Sequence, residues 1–428
     1  MKIILAIIIF SAIILFHELG HFLLAKKNGI TVTEFSLGMG PRLLSTVKGG
    51  TRYSLKLFPL GGSCAMLGED MEDDEPGTFN SASVWGRISV VAAGPVFNFI
   101  LAFVVAVVIV GLMGYDPAEI RAVQANSSAE AAGLREGDVI KEYQGYHIDL
   151  ARDLYLYTYL NEIQLDEPVR MTVERDGEEL ELSFIPDADV RYLLGFNRKD
   201  TETMVVESLI PGMPLEEAGV QPGDVITSIN GVKIENGEDY TDYIAENPLS
   251  DKPVQITYVR NGLEYDAEIT PREYKTPTLG FSYNLACVRT SGFNVLKYAG
   301  LEVKYLIRST IMSLKELAAG RLGIKDVSGP VGVVDAIGDT YEESKSEGTL
   351  AVWVNMLYMA ILLSANLGVM NLLPFPALDG GRLVFLLIEA VRKKPVNRQT
   401  EGMIHFAGLM MLMVLMVVVM YHDILNII

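Results

Sequence analysis

Residues 3–25, IILAIIIFSAIILFHELGHFLLA, decide the fold. The first fourteen carry no charge, and the apolar run resumes after a short polar interruption. At ~1.5 Å rise per residue, 23 residues cross a ~30 Å hydrocarbon core. A cleavable leader is disfavoured, because Lys2 is the only charge before a long apolar stretch and no A-x-A site follows. The interruption itself is His17, Glu18 and His21, an H-E-x-x-H pattern inside a span. Helix residues four apart share a face, so both imidazoles can reach one metal, and Glu18 beside them can serve as base for a metal-bound water. Polar groups in lipid are costly and need a reason. With five histidines in 428 residues, chance occurrence of the pattern is roughly 0.005 per chain.

A catalytic zinc wants a third protein ligand and one open position. His405 and His422 flank a later apolar stretch, and His147 lies in an acidic middle region. Asp379, in NLLPFPALDGG (371–381), is better placed, directly after an apolar stretch. Pro374 and Pro376 break a helix there, and Gly380 and Gly381 allow a sharp turn, so the carboxylate can swing towards the first span. Its competing role is a helix N-terminal charge for residues 382–391. His17 lies 13 residues after Ile4, roughly 20 Å along a helix, which sets the metal inside the bilayer.

Three more spans are expected at about 88–114, 350–373 and 403–421. Residues 382–391 are apolar but too short to cross and read as a re-entrant or interfacial helix. Lys26 and Lys27 close the first span, and Arg392, Lys393, Lys394 and Arg398 precede the last. Those loops should be cytosolic, which leaves both termini and residues 115–349 outside the inner (plasma) membrane. Half the residues are hydrophobic and the mean hydropathy is +0.27, yet the net charge is −19. Residues 115–350 hold 42 Asp/Glu against 22 Lys/Arg, and the remainder is nearly neutral at 12 against 13. Such acidity excludes a nucleic-acid partner. Cys64 and Cys287 are the only cysteines, too few for a disulfide framework or a cysteine zinc cage.

The middle region repeats. Residues 131–148 match 217–234 at an offset of 86, and 174–186 match 259–271 at 85. Each copy is followed by a Leu-Gly-Phe turn, Leu194-Gly195-Phe196 and Leu279-Gly280-Phe281. Alternating strands with D-G and N-G turns make each copy mostly β. The A-G-x-x-x-G-D-x-I stretch and the L-G-F turn resemble PDZ domains. That resemblance implies capture of an extended chain at a sheet edge, with the turn's N–H groups holding a carboxylate.

H-E-L-G-H, G-P-x-x-N at 94–98 and N-x-x-P-x-P-x-L-D-G at 371–380 together resemble the site-2 protease family, over essentially the whole chain. G-M-G-P (38–41), P-L-G-G (59–62) and S-G-P-V-G (328–332) match too, and tandem PDZ-like copies are similar to the bacterial RseP branch. Ser63-Cys64-Ala65 departs from the sequence that branch carries after P-L-G-G. The resemblance implies Zn2+ on His17, His21 and Asp379, water activation by Glu18, and a substrate strand held or unwound near Asn98, Asn371, Pro374 and Pro376. It also implies cleavage of the transmembrane segment of a single-pass protein, such as an anti-sigma factor or signal-peptide remnant, after a site-1 protease has trimmed it.

The expected architecture is an α-helical polytopic membrane protein with about four transmembrane helices. Its parts are 1–27 as first span, 28–86 as a membrane-associated β-loop on the cytosolic side, 87–114 as second span, and PDZ-like domains at 115–198 and 199–284. Residues 285–349 follow as a juxtamembrane region with an amphipathic helix at 293–317, then 350–428 with the last two spans. A sheet edge within 31–66 would let an unwound substrate pair as a strand. The insert would lie over the substrate's entrance and exclude bulky external domains. The alternatives are a membrane-anchored PDZ scaffold with a non-catalytic metal site, and a zinc transporter.

Overall fold

α1 (Lys2–Lys27) has no acid in its first turn and ends on Lys26 and Lys27, which meet the negative end of its dipole. The computed structural model describes residues 2–69, 75–323 and 327–427. They fall into two bodies, one from the chain's two ends up to Pro117 and from Leu285, the other Ala118–Asn284.

In the first body α1 leads into β1 (Val32–Lys48) and β2 (Thr51–Met66). These two strands double back on each other. Phe35 pairs with Cys64 on one side and with Tyr53 on the other, and further on Leu44 pairs with Leu55. The segment Gly62–Met66 therefore has a partner, the start of β1, on one side only among the described pairings. α2 (Val84–Met113) starts at Ser83, whose hydroxyl accepts from Gly86 N–H. It packs along α1, and Gly20 allows this approach, since a Cβ there would lie 2.4 Å from the Ala93 carbonyl oxygen.

The second body is built twice from one plan. The first repeat has β3 (Ile120–Val123), α3 (Ser128–Ala131), β4 (Val139–Tyr143), β5 (Tyr146–His147), α4 (Ala151–Leu160), β6 (Val169–Arg175) and β7 (Glu178–Phe184). After β8 (Asp187–Leu193) comes the second: β9 (Phe196–Arg198), β10 (Val206–Leu209), α5 (Pro214–Glu217), β11 (Val225–Ile229), β12 (Val232–Lys233), α6 (Gly237–Glu246), β13 (Val254–Arg260) and β14 (Leu263–Ile269). β15 (Arg272–Thr278) and β16 (Phe281–Tyr283) close it. The four-stranded sheets have the same order, β5-β4-β6-β7 and β12-β11-β13-β14.

The G-D of each repeat has a structural cause. Asp138 pairs with Arg175, and Asp224 with Arg260, both carboxylates being 1–2% exposed. Each guanidinium also donates to a turn carbonyl, of Gly133 or Gly219.

The boundary expected at 198/199 needs correction. β9 pairs with β10, and Leu194 and Phe196 pack in the second core; β16 returns to pair with β3, and Leu279 and Phe281 pack in the first. The first repeat is thus discontinuous and encloses the second. Long-range pairing makes this choice, because the L-G-F turn is compatible with either neighbour.

The chain re-enters the first body through α7 (Phe293–Ala318), α8 (Pro330–Glu347), α9 (Thr349–Leu372), α10 (Asp379–Arg392) and α11 (Arg398–Ile427). α1, α2, α9 and α11 are long and apolar enough to cross a membrane. α10 begins at Asp379 itself, three residues before the expected helix. Gly380 and Gly381 are there for close backbone approach, since a Cβ on either would lie within 2.3 Å of a carbonyl oxygen. α7 buries its apolar face, Ala299, Val303 and Leu306, against α2 and α9. α8, expected only as part of a juxtamembrane region, packs on α1 and α9. Asp423 of α11 accepts from Gly329 and Gly332 N–H at its start, and Lys2 pairs with its Asp335 and Asp339.

Candidate metal centre

One helical turn puts His17 and His21 on the same face of α1, with their Nε2 atoms 3.2 Å apart. Asp379 Oδ2, on the first turn of α10, lies 3.2 Å from His17 Nε2 and 3.4 Å from His21 Nε2. One donor atom from each of the three falls within 4.8 Å of the others, and both imidazoles are buried.

The chemistry of this donor set fits a cation. His21 Nδ1 lies 2.8 Å from the Val90 carbonyl oxygen. A carbonyl only accepts, so Nδ1 carries the proton and Nε2 presents a lone pair. That lone pair faces Asp379 Oδ2, which is buried and has no hydrogen-bond donor among the described residues. Two acceptors converging in a buried site repel unless a positive ion lies between them. Two imidazoles and one carboxylate, leaving one position open, are a zinc arrangement known from hydrolytic sites.

α2 forms the back wall. A Cβ at Gly94 would lie 2.4 Å from His21 Nε2 and 2.7 Å from His17 Nε2, so only glycine fits. Asn98, one turn on, is fully buried, with its Nδ2 3.2 Å from His17 Nδ1. Ser364 Oγ of α9 donates to the Asn98 carbonyl at 2.8 Å. Asn98, expected beside the substrate strand, stands behind the His17 imidazole.

Glu18 points to the β-loop. Its carboxylate accepts from the Cys64 backbone N–H, and a Cβ at Gly62 would lie 3.2 Å from Glu18 Cγ. The departure at residues 63–65 is thus beside the general-base candidate, and what it contributes there is a backbone N–H. Burial pushes the Cys64 thiol up to about 12.

The other expected residues lie around or away from this cluster. Asn371 is in the last turn of α9, and Pro374 is exposed in the turn that follows. Pro376 packs under α11, where a Cβ at Gly408 would lie 2.5 Å from it. His405 Nδ1 accepts from Ala377 N–H at 2.9 Å and takes no part in the cluster. His147 pairs with Asp149 in the second body. The six residues of the Leu-Gly-Phe turns belong to that body as well. Val90 left no trace in the sequence, because it acts through its carbonyl. Ser364, a hydroxyl in an apolar span, was a readable signal.

A sequence model of peptidase family M50 matches residues 5–415. The zinc metalloprotease RasP of Geobacillus kaustophilus is 32% identical over 439 residues, covering 98% of this chain and 96% of that protein. The regulator of sigma-W protease RasP of Bacillus subtilis is 30% identical, with coverage of 98% and 97%. A probable protease eep of Enterococcus faecalis is 31% identical, with coverage of 98% and 97%.

Proposed function

The chain belongs to peptidase family M50, and from that premise we propose that it is a zinc-dependent intramembrane endopeptidase of the site-2 type. Convergence of Asp379 Oδ2 and the His21 Nε2 lone pair in a buried site, with no donor to that oxygen among the described residues, carries this reading. His17, His21 and Asp379 would hold zinc, which when bound would supply Lewis acidity for peptide-bond hydrolysis. Glu18, oriented by the Cys64 N–H, accepts a proton from the attacking water and returns it to the departing amine. Asn98 and Val90 fix the ring orientations from behind.

The substrate is the membrane segment of a single-pass protein. A helix cannot be cut while its carbonyls are engaged in intrahelical bonds, so the segment must extend first. The one-sided segment Gly62–Met66, beside Glu18, supplies a sheet edge for that strand. Asn371 and Pro374, at the end of α9, are the candidates for holding its far side. The sigma-W regulator among the relatives favours anti-sigma factors as substrates, cut after a site-1 protease has trimmed them. The lysines ending α1 and the cluster Arg392–Arg398 support an orientation with the active-site end towards the cytosol and the repeat body outside. The two repeats are PDZ-like recognition units.

The test is zinc content together with cleavage of a detergent-solubilised membrane peptide. Glu18→Gln should keep one zinc and lose turnover by at least about 100-fold, the scale of a general base. Asp379→Ala should lose zinc, since two ligands remain. Turnover by the Gln variant near the wild-type rate defeats the proposal.

A further inference from the structure

Asp379 opens α10, and the backbone just before it is a tight turn. Leu378 N–H donates to the Phe375 carbonyl at 3.2 Å, closing Phe375-Pro376-Ala377-Leu378. Proline in the second place and a φ of +77° at Ala377 in the third are the pattern of a type II turn. The third place suits glycine, because a Cβ crowds the backbone at positive φ. The sequence puts alanine there, so the surroundings must hold this conformation. The turn also nests against the first turn of α10. A Cβ at Gly381 would lie 2.3 Å from the Phe375 carbonyl oxygen, and one at Gly380 2.1 Å from that of Leu373. With so little slack, a change in the turn moves Asp379.

The hold comes from α11. Ala377 N–H, which the closing bond does not use, donates to His405 Nδ1 at 2.9 Å. Nδ1 therefore presents its lone pair, and the proton of the neutral ring is on Nε2. That Nε2 is buried without a partner among the described residues. The ring leans on Phe385 of α10, with centroids 5.5 Å apart. Gly408 lies three residues on and shares the helix face of His405. A Cβ at Gly408 would lie 2.6 Å from the Pro376 carbonyl oxygen. Pro376 C=O and Ala377 N–H are the two ends of one peptide unit, the centre of the turn. One face of α11 thus grips that unit at both ends, while Phe406 and Leu409 beside it are exposed.

Type I and type II turns differ by a flip of this central peptide, and only type II needs positive φ. We infer that His405 is a positioning residue for Asp379: its lone pair holds the Pro376–Ala377 peptide in the type II orientation, which sets the carboxylate against the two imidazoles. Without that acceptor Ala377 relaxes to negative φ, its N–H turns away from α11, and the first turn of α10 shifts with it. This rests on the reading of Asp379 as the third zinc ligand and extends it to a residue on another helix.

The test uses the full chain in detergent, loaded with zinc or with cobalt(II), whose visible absorption follows the geometry of its ligands. His405→Leu keeps apolar bulk and removes the acceptor. It should release zinc to a chelator roughly tenfold faster, the lower end for losing a group that orients a ligand, and should alter the cobalt bands. His405→Asn places an oxygen acceptor where Nδ1 was and should restore both. Ala377→Gly removes the penalty on positive φ, so in that background His405→Leu should speed release by less than about twofold. Wild-type zinc release and cobalt bands in His405→Leu overturn the positioning role. A defect that His405→Asn shares in full overturns the lone pair as its cause. A defect of one size with and without Ala377→Gly overturns the turn as its route. Asp379→Ala tests the underlying reading by itself. Full zinc retention with unchanged cobalt bands there overturns Asp379 as a ligand, and the role of His405 with it.

Discussion

Asn98 Nδ2 faces His17 Nδ1 at 3.2 Å, while Asn98 Oδ1 is buried with no hydrogen-bond partner among the described residues. Both facts are resolved if the amide is turned over. Oδ1 then accepts from a protonated Nδ1, and His17 Nε2 keeps its lone pair for the metal. His21 is set the same way by the Val90 carbonyl. Asn98→Ala should therefore weaken zinc retention 10–100-fold, the usual cost of losing a group that orients a ligand. Zinc release during titration with a chelator measures this. An unchanged midpoint would mean that Asn98 does not set the tautomer.

Gly94 makes a sharper demand. Its missing Cβ leaves room for both imidazoles, whose Nε2 atoms come within 2.7 Å of where that carbon would be. Gly94→Ala should displace the histidines, abolish zinc binding and leave the span inserted, because the added methyl is apolar. Zinc content and protease protection of the flanking loops separate the two effects. Full zinc occupancy in the alanine variant would show that α1 and α2 part easily.

Much of this was readable in the chain. H-E-x-x-H put two candidate ligands, His17 and His21, on one helix face, and Asp379 was marked by the prolines and glycines around it. The exchanged Leu-Gly-Phe turns were not readable, because the turn is a local signal and its pairing with β3 or β10 is not. α8 was missed for a different reason. Its sequence is acidic at the C-terminal end, but Val333, Val334, Ile337 and Tyr341 recur at helical spacing and pack near α1. That period could have been found. The Asp423 interaction at its start could not, since the partners are about 90 residues apart.

The paired aspartates give the insert a pH dependence with a defined sign. Arg260 beside Asp224 holds its carboxyl below the usual range, and burial acting upward on Asp138 is outweighed by Arg175. A depressed folded-state pKa contributes stability above the unfolded value of about 3.9, which is lost as pH falls through the folded value. The repeat body should therefore loosen below about pH 4 and be steady through neutrality. Asp224→Asn should cost about 2–3 kcal/mol at pH 7, less than for a fully buried pair because Arg260 is partly exposed. It should also flatten the acid limb. Hydrogen exchange of β11 and β13 in the full chain across pH reads both, and an acid limb unchanged in the Asn variant would remove the pair from the explanation.

The last prediction concerns access. The repeat body contributes no residue to the His17–His21–Asp379 cluster, so excluding bulky substrates is a role it can have without chemistry. Excision must respect the discontinuous first repeat. Removing 119–272 would strand β16 without β3, whereas removing 118–284 takes out the body whole. The remaining ends are already joined, for Tyr115 and Val288 exchange backbone hydrogen bonds of 3.0 and 2.7 Å. A short Gly-Ser linker between Pro117 and Leu285 should then leave zinc content unchanged. The excised protein should cleave a single-pass substrate that retains its external domain, while the intact chain cleaves only the trimmed form. Cleavage of both substrates at wild-type ratios, in a zinc-loaded excised protein, would show that the selection for trimmed chains comes from the membrane body itself.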